Sequence, residues 1–122
     1  MADTRIAVLV VEDEPLMRMD IAGALEDGGF LVFEAAHADE AIAILEQHTE
    51  IRVLFTDIDM PGSMDGLKLA AAVRDRWPPI KIIVTSGHQS IRDENLPVDG
   101  RFFSKPYNPE KIIDTIREMV AA

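Results

Sequence analysis

The chain predicts a doubly wound α/β domain, a parallel sheet covered by helices on both faces. Five short apolar runs have strand length, helical segments with caps and breakers fall between most of them, and no repeat or linker divides the series. The runs are IAVLVV (6–11), FLVFEA (30–35), VLFT (53–56), IKIIVTS (80–86) and RFFS (101–104). Strands that alternate with helices connect by right-handed crossovers, so the sheet is parallel and buried on both sides. The 122 residues, 48% hydrophobic and 28% charged, form a single globular domain over 1–122 by this reading.

The elements follow in order. After the first strand, PLMRMDIAGALEDG reads as a helix with Pro15 in its first turn and Gly28-Gly29 as its stop. The second strand leads to ADEAIAILEQH, with Asp39 as its expected cap. The third strand leads to DGLKLAAAVRDRW, closed by Pro78-Pro79. After the fourth strand, GHQSIRDENLPVDG (87–100) is polar and broken by Pro97 and Gly100, so a loop or one poor helical turn is expected where alternation requires a fourth helix. The last strand leads to NPEKIIDTIREMV, with Asn108 as N-cap, Pro109 next, and Ile112, Ile113, Ile116 and Val120 on one face.

Composition excludes several function classes. With no Cys, neither disulfides nor thiolate metal ligation is possible, which fits a reducing compartment. The longest apolar run, Ile6–Val11, is too short for a membrane span or a signal segment, so a cytoplasmic protein with no membrane partner is expected. A net charge of -10 with 12 scattered Lys and Arg argues against nucleic acid as a partner.

Ligands of open α/β sheets bind outside the carboxyl ends of the strands. The first strand delivers Glu12 and Asp13 there, the third Asp57 and then Asp59, the fourth Thr85 and Ser86, the fifth Lys105 and Pro106. Neighbouring Asp13 and Asp57 repel unless one is protonated or a cation sits between them. Hard oxygen ligands point to Mg²⁺, which takes one or two carboxylates plus a phosphate oxygen. An aspartate can attack a phosphoryl group to give an acyl phosphate, with metal, Lys and hydroxyl stabilising its oxygens.

In VLVVEDEP, LFTDIDMPG, IIVTSG and FFSKPY, taken in that order and spacing, the whole chain resembles the receiver domains of two-component response regulators. The resemblance implies a flavodoxin-like sheet of order 2-1-3-4-5. It implies that Asp57 is the phosphoacceptor, charged by a histidine kinase or histidine phosphotransfer protein. Asp13 would bind Mg²⁺ directly, Glu12 through water, and the Asp59 backbone carbonyl would complete the site. Lys105 would pair with the phosphoryl group, with the Lys105-Pro106 bond cis. Ser86 is chosen as the switch hydroxyl, with Thr85 as the alternative, and Phe102 as the aromatic that turns inward with it. Asp59 and His88 fall at positions that tune acyl phosphate lifetime in this family. The segment from Ser86 to Lys105 is shorter than usual, and MPGSMDG carries an extra residue, which enlarges the loop beside Asp57.

Singly, each residue has a plainer explanation: a solvated acid at Glu12, a turn-forming Asp57, strand-end hydroxyls, a surface Lys105, core packing for one of Phe102 and Phe103. Their coincidence at one sheet edge outweighs this. An aspartyl-phosphate phosphatase of the haloacid dehalogenase type also uses Asp-x-Asp, but after its first strand. A receiver-like scaffold that takes no phosphate is the other rival. The expectation is a stand-alone receiver, not an enzyme beyond its own phosphorylation and dephosphorylation, that carries no effector and acts through an unidentified downstream protein.

Overall fold

Every residue of Ala7–Val11 is buried, and a strand with no wet face belongs in the middle of a sheet covered on both sides. A computed structural model describes residues 4–60, 64–87 and 100–121. Its elements are β1 (Ala7–Val11), α1 (Pro15–Asp27), β2 (Leu31–Ala35), α2 (Ala38–Gln47), β3 (Ile51–Asp57), α3 (Gly66–Arg76), β4 (Lys81–Ser86), β5 (Gly100–Ser104) and α4 (Pro109–Ala121). The five strands are parallel in the order β2-β1-β3-β4-β5, the expected doubly wound arrangement.

Strand alternation divides the interior into two cores. Leu9, Val11, Leu54, Ile82 and Val84 face α2 and α3, packing against Ala41, Leu45, Leu69 and Val73. Val8, Val10, Val53, Phe55 and Ile83 face α1 and α4, packing against Ile21, Leu25, Ile112 and Ile116. Phe102 and Phe103 are both half-buried and join opposite cores, so neither is the sole core residue of the pair.

Local chemistry sets the helix ends. Glu14 Oε2 accepts from Met17 N at 2.7 Å ahead of Pro15, and the chain leaves α1 through Gly28 and Gly29, the latter at φ +96°. Asn108 Oδ1 accepts from Glu110 N at 2.9 Å, as expected of a cap. Asp39 does not cap α2. His37 Nδ1 accepts from Glu40 N at 3.3 Å while Glu40 Oε1 accepts from Ala36 N at 2.7 Å, a reciprocal cap that leaves Asp39 inside the first turn.

β3 is longer than VLFT because a register shift between Ala7 and Val8 lets exposed Arg52 stand out of the ladder while Ile51 still pairs with Ala7. The expectation for 87–100 falls mostly on residues 88–99, which lie outside the described residues, as do Pro61, Gly62 and Ser63 of the loop after β3. Among the described residues no helix is long and apolar enough to cross a membrane.

Gly66, the first residue of α3, holds the helix against the end of β3. Its N–H donates to Ile58 O at 3.1 Å, and a Cβ there would overlap the Asp57 carbonyl. Backbone cannot yield as a side chain can, so Gly66→Ala must push α3 away from Asp57. The expected cost is ~1–3 kcal/mol in urea denaturation, whereas Gly23→Ala, whose added methyl meets nothing within 4 Å, should not destabilise the fold.

Candidate functional site

All five strands end at one edge, so the residues there form a common rim, and alternation decides which of them face the same way. Glu12 continues the series of Val8 and Val10, Asp57 that of Val53 and Phe55, Thr85 that of Ile83, and Lys105 that of Phe103. The four therefore lie on the α1/α4 side of adjacent strand ends. Asp57 and Thr85 are direct cross-strand partners.

Lys105 Nζ donates to Asp57 Oδ2 at 2.9 Å and to Glu12 Oε1 at 3.1 Å. Asp57 and Glu12 are each only 3% exposed, so the ammonium bridges two carboxylates shielded from water. Asp13, exposed, brings a third carboxylate, and one oxygen from each of Glu12, Asp13 and Asp57 lies within 4.8 Å of the others. Backbone bonds brace the rim: Ile58 N to Thr85 O at 2.8 Å, Lys105 N to Ser86 O at 2.9 Å, and Asp59 N to Asp57 Oδ1 at 3.2 Å. The Lys105-Pro106 peptide is cis.

The charges are unbalanced. Burial pushes the Glu12 carboxyl up from 4.5 to about 7, nearby Asp57 adds to the rise, and Lys105 opposes it. Burial works against the Lys105 ammonium, but its bonds to Asp57 and Glu12 outweigh that and hold its pKa above the ordinary 10.5. Burial and the charge of Glu12 push the Tyr107 hydroxyl to about 12, so it stays neutral. Three carboxylates against one ammonium, with no nitrogen or sulfur donor among them, fit a hard divalent cation such as Mg²⁺.

Glu12, Asp13, Asp57, Thr85 and Lys105 thus meet in or beside one pocket. Ser86 and Phe102 lie on the other face of their strands, with Val84. Ser86 Oγ donates to Asp59 Oδ2 at 2.8 Å, and the exposed Asp59 carboxylate is not among the three clustered ones. His88 lies outside the described residues. Three contributors carried no signal strong enough to find by sequence. Gly66 makes room for the Asp57 backbone, Arg18 donates to Glu12 O at 2.9 Å, and Tyr107 packs edge-on to Phe55, the ring centroids 5.6 Å apart.

A carboxyl whose folded pKa is raised binds more protons folded than unfolded, so its contribution to stability falls as pH rises from 4.5 through about 7. Metal-free protein should therefore lose stability across that window in urea titrations, and Glu12→Gln should flatten the loss.

The family model of the response regulator receiver domain matches residues 8–117. The sensor kinase CckA of Brucella abortus (strain 2308) is 38% identical over 117 residues, covering 93% of this chain but 12% of that protein. The response regulator receiver protein CpdR of the same organism is 32% identical over 120 residues, covering 94% of this chain and 97% of that one. The chain spans about an eighth to a quarter of the first curated relatives it matches. The crystal structure of a response regulator receiver protein from Sinorhizobium medicae WSM419 superposes with a TM-score of 0.89 at 27% identity, covering 98% of this chain and 97% of that one. With the parallel 2-1-3-4-5 sheet and the acidic pocket at its carboxyl edge, these matches establish that the chain belongs to the response regulator receiver domains, the phosphoacceptor signalling family of two-component systems.

Proposed function

We propose that Asp57 is the phosphoacceptor and that it is charged by a histidine kinase or a histidine phosphotransfer protein. The observation that carries this reading is the Lys105 ammonium 2.9 Å from a buried Asp57 carboxylate that shares its pocket with Glu12 and Asp13. An Asp57 oxygen attacks phosphorus; the new P–O bond forms as the donor's P–N bond breaks, and the imidazole leaves with a proton taken from solvent. The residues around Asp57 work by charge and position. Lys105 exchanges its contact with Asp57 for the phosphoryl oxygens. Asp13, Asp57 and the Asp59 backbone carbonyl would hold Mg²⁺, with Glu12 acting through water, and the ion would supply positive charge to the phosphoryl group.

Of the two neighbouring hydroxyls, the register supports Thr85, which shares a face with Asp57, over Ser86, the residue favoured by strand length. Thr85 donates to a phosphoryl oxygen in this reading. Phe102, two positions before the end of β5, transmits the change to the surface beyond β4 and β5. Asp59 and His88, two residues past Asp57 and Ser86 in the chain, set how water reaches the acyl phosphate in this reading. Phosphorylation and dephosphorylation of Asp57 are then the only chemistry of the chain, output is a protein contact, and the absence of Cys supports a cytoplasmic setting.

Incubation with acetyl phosphate and Mg²⁺ should add one phosphoryl group to the intact mass, base-labile and absent in Asp57→Asn or with EDTA. Lys105→Ala and Thr85→Ala should each slow its appearance about 10²-fold, the usual loss for one preorganised donor at a developing charge. Asp13→Ala should weaken Mg²⁺ binding. An unmodified wild type that also fails to bind beryllofluoride would leave a scaffold that takes no phosphate.

A further inference from the structure

The backbone of Glu12 is held on both sides. Its N–H donates to Ala35 O, at the end of β2, at 3.1 Å, and its carbonyl accepts from Arg18 Nη1 at 2.9 Å. That carbonyl belongs to the peptide unit that joins Glu12 to Asp13. A peptide unit is planar, so a grip on its oxygen also orients the Asp13 Cα and the direction in which the Asp13 side chain leaves the backbone. Arg18 stands in the first part of α1, and its guanidinium is itself placed, with Nε 3.5 Å from Glu34 Oε1. Glu34 pairs with Val10 across β1 and β2, and Val10 faces α1, so strand pairing brings this carboxylate to the side of Arg18. The rigid fork of a guanidinium lets one side chain hold both partners at a fixed separation.

We infer that Arg18 is a positioning residue for the metal site: bridging Glu34 to the Glu12 carbonyl, it fixes the turn that brings the Asp13 carboxylate to Asp57. The inference rests on the receiver reading of the same site. One oxygen each from Glu12, Asp13 and Asp57 lies within 4.8 Å of the others, and a small tilt of the peptide between residues 12 and 13 would open that cluster. A guanidinium beside a pocket suited to a divalent cation also repels the cation. Glu34 balances that charge, so the clamp supplies geometry with little repulsion.

Position and charge act here with opposite sign. Loss of a positive charge tightens the hold on Mg²⁺ if Arg18 acts through space, whereas loss of the grip on Glu12 O loosens it if Arg18 positions Asp13. In Arg18→Met the Kd for Mg²⁺ should rise about tenfold by calorimetric titration, as when a residue that orients a metal ligand is removed. The titration is made at about 0.15 M salt, where exposed charges are largely screened. The Mg²⁺ concentration for half-maximal labelling by acetyl phosphate should rise by the same factor, while the rate at saturating Mg²⁺ holds. Glu34→Gln should weaken Mg²⁺ binding in the wild type and much less in an Arg18→Met background, where no guanidinium remains to be oriented. Arg18→Gln, uncharged and shorter, repeats the comparison should the methionine variant aggregate.

A latch that only steadied α1 would lower the melting temperature and leave the Mg²⁺ Kd at the wild-type value, which overturns the inference. A tighter Kd in Arg18→Met overturns it in favour of a through-space charge, and an equal effect of Glu34→Gln in both backgrounds overturns the bridge. Each of these outcomes leaves the receiver reading intact. A wild type that binds no Mg²⁺ overturns both.

Discussion

Lys105 bridging Asp57 and Glu12 is the interaction on which the site depends. Each carboxylate is nearly sealed from water, and either would be costly to bury without a counter-charge. One ammonium does not balance three acids, so burial leaves Glu12 poorly ionised and the pocket short of positive charge. That shortage suits the pocket to a divalent cation.

The bridge is maintained by packing some distance from it. Lys105 reaches Asp57 only because β5 is in register with β4 and β4 with β3, and those registers are set by Ile82, Ile83 and Val84 between two cores. Gly66 lets α3 begin close against the Asp57 backbone, and Arg18 ties the first turn of α1 to the Glu12 carbonyl. Functional residues thus sit on strand ends and their first loop positions, which a rigid sheet locates better than a free loop would.

The two faces of β4 divide the labour. Thr85 shares the pocket side with Asp57 and Lys105, while Ser86 and Phe102 belong to the side of α2 and α3. A change at Asp57 can reach the second face through Asp59, whose amide touches Asp57 and whose carboxylate touches Ser86. This is a short, contiguous link between chemistry on one side of the sheet and surface on the other.

Much of this was legible in the sequence, for identifiable reasons. Five apolar runs with helical segments between them admit a parallel sheet, and the parallel sheet fixes one edge for Glu12, Asp13, Asp57 and Lys105. Capping by Asn108 and the stop at Gly28-Gly29 are local events decided within one turn of chain. What sequence left open depends on contacts between distant segments. Sequence chose Ser86 over its neighbour Thr85, and it is the pairing of Asp57 with Thr85 that puts Thr85 on the face of Asp57. The cap of α2 passed from Asp39 to His37 because backbone entry geometry, not acidity, selects the acceptor. Gly66 is an unremarkable helix-start glycine until α3 is laid against Asp57. Local preference and periodicity determined the elements and the residue types at the rim. Which side chains face one another there was decided by register and close packing, interactions between residues far apart in the chain that periodicity does not encode.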